Sequence, residues 1–117
     1  MACIILVVDD EAPVADVIRM LVEDLGHRVF TAADGVAALE LVEKERPRLV
    51  ISDIMMPRMA GDELCRRIKG TPGYRSVKVV LMSAAGARRA EETGADAFVH
   101  KPFELETIEE LVERFVP

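Results

Sequence analysis

Tryptophan is absent and aromatic residues make up only 4% of the chain, which leaves little with which to stack exposed nucleic-acid bases. A basic excess is also missing. Fifteen lysines and arginines face 21 aspartates and glutamates, for a formal net charge of −6, so direct nucleic-acid binding through a broad basic face is not expected. Two cysteines, Cys3 and Cys65, are too few for a disulfide framework and read as reduced, buried or half-buried apolar residues. No apolar run approaches the ~20 residues that a membrane span needs. The first residues carry neither a basic segment nor a small-residue cleavage site, so a signal peptide is not expected and a cytoplasmic location is. There is no glycine-rich phosphate loop, Ser-His-Asp arrangement or catalytic-cysteine pattern, which disfavours nucleotide binding and acyl transfer. Of the two histidines, His27 reads as a surface residue at the entry to a strand and His100 as a strand residue rather than a ligand.

What remains is an ordinary globular mixture, 50% apolar and 31% charged over 117 residues, a length that suits one domain with one real core. Five short apolar runs stand out: Ile4 to Val8, Val29 to Ala33, Leu49 to Ile51, Val77 to Met82 and Ala97 to Val99. They are rich in β-branched residues and most lack polar alternation, the pattern of strands buried on both faces of a parallel sheet. Helical periodicity fills the intervals. Val14, Ile18, Leu21, Val22 and Leu25 share one face of a helix that starts near Pro13 and stops at Gly26. A second helix runs from Asp34-Gly35 to before Pro47, and a third, marked by Leu64 and Ile68, closes at Lys69-Gly70. A short fourth is expected over Arg88 to Thr93, ended by Gly94, and Leu105, Ile108, Leu111, Val112 and Phe115 make an amphipathic fifth. Strand and helix thus alternate five times. That order predicts an α/β, doubly wound, five-stranded parallel sheet covered by helices on both faces, with strand order 2-1-3-4-5.

In such sheets ligands bind beyond the carboxyl ends of the strands, where the strand order reverses. The first strand runs straight into Asp9-Asp10, the third into Asp53 and the fifth into Lys101-Pro102, and the fourth ends at Ser83. Taken singly, each has an ordinary structural reading. An aspartate after a strand commonly caps the next helix, a loop serine bonds nearby backbone, and a lysine is solvated. Taken together, they converge on one edge. Three carboxylates about 6 Å apart repel by roughly 3 kcal/mol per pair at an effective dielectric near 20, so the cluster requires a cation or raised pKa values. Oxygen-only ligation favours magnesium or a similar hard ion. An acid cluster with a metal, a lysine and a hydroxyl is suited to handling phosphate.

These residues resemble the receiver domain of two-component response regulators, over essentially the whole length of the chain. The matching segments are Leu6-Val7-Val8-Asp9-Asp10-Glu11, Ser52-Asp53-Ile54-Met55-Met56-Pro57, Met82-Ser83-Ala84 and Lys101-Pro102-Phe103. Each is a weak motif alone; the four in order at these spacings are specific. The resemblance implies a flavodoxin-like fold and a single receiver domain over residues 1–117 with no effector domain. It implies that Asp53 accepts a phosphoryl group as an aspartyl phosphate. Asp10 and Asp53 would ligate Mg2+ directly, Asp9 mainly through bound water, and Met55 through its backbone carbonyl. Lys101 would pair with the phosphoryl group and Ser83 would hydrogen-bond to it, with Phe98 as the aromatic that swings inward when Ser83 moves. The Lys101-Pro102 bond is expected to be cis.

The implied partners are a sensor histidine kinase or phosphotransfer protein as donor, and a downstream protein on the face made by the fourth helix, fifth strand and fifth helix. A weak homodimer is compatible with the resemblance. The chain would promote its own phosphorylation and dephosphorylation without being a conventional turnover enzyme. Two departures from the family pattern are visible. Lys101 follows Ser83 by 18 positions, about one helical turn less than usual for the family, which falls on the fourth helix. Ala60 stands where many relatives carry an acid. Two competing classes share some of these features. A receiver-like interaction module that is not phosphorylated is suggested by the short fourth helix and opposed by the intact Asp9, Asp10, Asp53, Ser83 and Lys101 set. A magnesium-dependent phosphatase with an aspartyl nucleophile would want a second acid two residues past Asp53, where Met55 stands.

Overall fold

The computed structural model describes residues 3–85 and 92–116. In chain order these form β1 (Ile4–Val8), α1 (Ala12–Asp24), β2 (Arg28–Ala32), α2 (Gly35–Glu45), β3 (Leu49–Asp53), α3 (Gly61–Gly70), a 3-10 turn (Pro72–Tyr74), β4 (Lys78–Ser83), β5 (Ala97–His100) and a C-terminal helix (Leu105–Phe115). The strands form one parallel sheet in the order β2-β1-β3-β4-β5, as the alternation predicts. Most of the expected fourth helix, residues 88–91, lies outside the described residues; its expected terminator Gly94 has φ +83° and closes a turn.

Two apolar layers explain why the strands read as near-continuous hydrophobic runs. Leu6 and Val8 of β1, Val50 of β3, and Val79 and Leu81 of β4 pack under α2 and α3 with Ala38, Val42, Leu64, Cys65 and Ile68. The alternate residues Ile5, Val7, Leu49, Ile51, Val80 and Met82 pack under α1 and the C-terminal helix with Ile18, Val22, Ile108 and Val112. Successive side chains of a strand point to opposite faces, so a strand covered on both sides must be apolar at every position.

Helix ends follow local chemistry. Asp34 caps α2, its Oδ1 accepting the Ala37 N–H at 2.9 Å. Arg46 ends that helix in the left-handed region, φ 51°, and Pro47 after it disfavours a further helical residue. Its guanidinium then stacks on Tyr74 at 4.8 Å. Helix α1 begins at Ala12 with proline in its first turn, and neither Asp9 nor Asp10 caps it; its N-cap is Glu11, without a side-chain bond.

Strands β3, β4 and β5 extend past the carboxyl ends of their apolar runs, whereas β1 and β2 do not. Asp53 and Ser83 are the last residues of β3 and β4 rather than the first of the loops. Register places Asp53 beside Met82 and Ser83 beside His100, so the sheet itself sets the relative height of these groups. Among the described residues no helix is long and apolar enough to cross a membrane, and neither cysteine forms a disulfide, Cys65 being fully buried.

Removing core volume at the central strand should therefore be costly. Ile51→Ala, at a site 1% exposed, is expected to lower unfolding free energy by about 2–5 kcal/mol, whereas Val17→Ala on the exposed side of α1 should change it by roughly 0.5 kcal/mol or less. Urea unfolding of the two variants measures both.

Candidate functional site

The carboxyl ends of β1 and β3 and the loop after β5 bring their polar residues together. Carboxylate oxygens of Asp9, Asp10, Glu11 and Asp53 all lie within 4.8 Å of one another. Asp9 and Asp53 are buried, and Asp10 and Glu11 are exposed. Lys101, directly after β5, reaches across the sheet edge. Its Nζ donates to Asp9 Oδ2 at 2.9 Å and to Asp53 Oδ2 at 3.2 Å, and stands 3.5 Å from Glu11 Oε1. The second oxygen of Asp9 accepts the Glu11 backbone N–H at 2.9 Å. The Met55 backbone N–H donates to the Asp53 carboxylate.

The electrostatics are those of a pocket with more negative than positive charge. Burial pushes the Asp53 carboxyl above its ordinary value of 3.8. The hydrogen bond and charge of Lys101 work against that, the Asp9 charge adds to it, and the Met55 N–H again lowers it. Burial disfavours the Lys101 ammonium, yet hydrogen bonds to Asp9 and Asp53, together with their charges, outweigh it and hold the lysine above its ordinary 10.5. The contribution of Lys101 to stability is thus fully present below 10.5 and lost as pH rises through its folded value. The donor set is oxygen only, partly buried and over-supplied with negative charge, which fits a hard divalent cation.

Ser83 is 2% exposed and ends β4 at the same edge. Its Oγ accepts the Ala85 N–H at 3.0 Å, while its carbonyl accepts the Lys101 N–H at 2.9 Å and so ties the lysine's backbone to β4. Met55 follows Ile54 on the loop after β3, with its side chain exposed. Phe98 is half-buried against the α2–α3 side of the core and meets His100 edge-on at 6.4 Å. The Lys101-Pro102 bond is cis, as expected. His100 is exposed, its Nδ1 2.9 Å from the Lys101 carbonyl. His27 is less superficial than its sequence setting suggests: it is half-buried at the opposite edge, where Nδ1 accepts the Cys3 N–H at 3.2 Å.

Two participants have no counterpart among the site residues expected from sequence. Glu11 joins the cluster; its only signal was adjacency to Asp9-Asp10. Gly61 lies against the backbone of Asp53, where an added Cβ would stand 2.1 Å from the Asp53 carbonyl oxygen, and its N–H donates to the Ile54 carbonyl at 2.8 Å. The start of α3 therefore fixes the floor under Asp53. Only a glycine fits there.

Neutralising Asp53 should stabilise the metal-free protein. Asp53→Asn keeps an oxygen acceptor for Lys101 and removes a buried charge, so its unfolding midpoint at neutral pH is expected to exceed that of the wild type. Because the folded pKa of Asp53 is raised, the cost of its charge is full above that pKa and fades as pH falls toward 3.8. Thermal unfolding in a chelator should show the gap between variant and wild type closing over that acidic window.

Residues 5–113 match the family model described as response regulator receiver domain. Sporulation initiation phosphotransferase F of Bacillus subtilis is 33% identical over 117 residues, covering 97% of this chain and 93% of that protein. Response regulator MprA of Mycobacterium tuberculosis is 37% identical over 106 residues, 89% of this chain but only 46% of that protein. Among solved structures, the signal receiver domain of a signal transduction histidine kinase from Syntrophus aciditrophicus superposes with a TM-score of 0.93 at 33% identity, covering 98% of this chain and 90% of that one. The receiver domain of the sensor histidine kinase PA1611 from Pseudomonas aeruginosa, with a magnesium ion coordinated in its active-site cleft, gives a TM-score of 0.89 at 26% identity, covering 98% of each chain.

Proposed function

The chain belongs to the response regulator receiver domain family, and on that premise we propose that Asp53 is its phosphoacceptor, taking a phosphoryl group from a partner's phosphohistidine. The observation that carries this reading is the convergence of Asp9, Asp10 and Asp53 with Lys101 at one sheet edge. An Asp53 oxygen attacks phosphorus in line as the phosphorus–nitrogen bond breaks, and the donor imidazole leaves with the bond's electron pair. The Lys101 contact and the Met55 N–H orient the Asp53 carboxylate, and burial limits the water around it. Lys101 then offers its ammonium to the phosphoryl oxygens and Ser83 its hydroxyl.

The residues that would hold Mg2+ are Asp10 and Asp53 directly, Asp9 mainly through water, and Met55 through its carbonyl. The ion, when bound, would neutralise charge on the transferring oxygens. The magnesium in the cleft of the Pseudomonas receiver domain supports this choice of cation.

The donor class is a sensor histidine kinase or a phosphotransfer protein; receiver domains of histidine kinases among the structural neighbours and a phosphotransferase among the relatives favour a phosphorelay setting. We read residues 1–117 as one receiver domain. Output would pass through Ser83 and Phe98 to the face that includes β5 and the C-terminal helix, by the charge that phosphorylation adds at the loop edge. The retained acid cluster and Lys101 disfavour an interaction module that is never phosphorylated, and Met55 at the second position past Asp53 disfavours the phosphatase reading.

Incubation with magnesium and a small phosphodonor such as acetyl phosphate is expected to add the mass of one phosphoryl group. The gain should vanish in Asp53→Asn and in a chelator. An equal gain in Asp53→Asn would contradict the assignment.

A further inference from the structure

The loop over residues 54–60, which carries Met55, has no regular structure of its own. Its base is secured next to Asp53: the Ile54 N–H donates to the Met82 carbonyl at 2.9 Å, and the Ile54 carbonyl accepts from Gly61. Its far side is held from a distant part of the chain. The N–H of Gly35, first residue of α2, donates to the Met59 carbonyl at 3.1 Å. This N–H is one of the four at a helix start that have no partner within the helix.

The approach is close enough to exclude any side chain. A Cβ on Gly35 would lie 2.5 Å from the Met59 carbonyl oxygen, 2.7 Å from its Cβ and 2.8 Å from its Cγ. Beside it, Asp34 Oδ1 stands 3.6 Å from Arg58 Nη2, and Arg58 itself adopts a left-handed conformation, φ 67°, which a non-glycine residue holds only when its surroundings require it. The neighbouring Met59 N–H closes back on the Pro57 carbonyl at 2.7 Å.

We propose that Gly35 is a positioning residue for the metal site: its N–H and its missing side chain set where Arg58 and Met59 lie, and thereby where the Met55 carbonyl points. The inference rests on the reading of Met55 as a magnesium ligand given above. Residue 35 touches neither the cluster nor a phosphoryl group. It acts through four residues of a loop that is pinned at both ends and strained near its tip.

The test is magnesium affinity, followed by amide chemical shifts at a temperature where each protein is folded. Gly35→Ala must push Met59 away and is expected to weaken magnesium binding by about tenfold or more, as loss of a supporting contact around a metal site does. Val42→Ala, which loosens the buried face of the same helix, is the control and should bind magnesium like the wild type. Wild-type affinity in folded Gly35→Ala, or equal weakening in Val42→Ala, overturns the proposal.

Should Gly35→Ala fail to fold, hydrogen exchange at the Gly35 amide of the wild type decides instead. Saturating magnesium is expected to slow it, because ordering the loop strengthens the bond to Met59, and an unchanged rate overturns the proposal. A wild type that binds no magnesium at millimolar concentration removes the reading of the site itself, an outcome distinct from a wild type that binds and a variant that binds equally.

Discussion

Charge crowding at the carboxyl ends of β1 and β3 governs the rest of the structure. Among the described residues, four carboxylates within 4.8 Å of one another face one ammonium, Lys101, which contacts two of them directly and stands close to a third. Burial raises the Asp53 pKa, with the Asp9 charge adding to it and Lys101 opposing it, and Lys101 is held charged by the partners it neutralises. A pocket in that condition is poised to take up a cation and then an anion. On the proposed reading, binding the first would relieve the carboxylates and leave the lysine charge to offer the second. Such a site costs stability in the empty protein, as functional sites commonly do.

The scaffold can hold that crowding because both faces of the sheet are covered. Side chains of β1, β3 and β4 alternate between the α2–α3 layer and the layer of α1 and the C-terminal helix, so these strands cannot slip register without turning apolar residues toward the wrong layer. Asp53 and Ser83 therefore stand at fixed heights, set by ladders rather than by loops. The parts of the site that do lie on loops are tied back to the sheet or to helix starts, Lys101 through its N–H to Ser83 and the segment after Asp53 through Gly35 and Gly61.

Much of this was legible in the sequence for a physical reason. Strands buried on both faces lose polar alternation, so β1 was read to the residue and the others within a position or two, and polar residues at the ends of four of the five strands mark one edge of the sheet. Asp9, Asp10, Asp53, Ser83 and Lys101 were assigned to that edge in this way. What escaped depends on tertiary approach. Asp53 continues its ladder because the neighbouring strands reach as far as they do, which no single run reports. Glu11 enters the cluster through the turn into α1. The closeness of Gly35 to Met59 and of Gly61 to Asp53 is a matter of a few tenths of an ångström between distant segments, and a glycine at a helix start looks the same with or without it.

Whether the pocket takes up a divalent cation is tested most directly by thermal unfolding of the wild-type protein across a magnesium titration. Binding to the folded state alone raises stability with the logarithm of ligand concentration once the site fills. The midpoint should climb in this way, and the climb should shrink when Asp10 is replaced by asparagine. A midpoint indifferent to magnesium, or one that rises equally in the Asp10→Asn protein, would contradict the account.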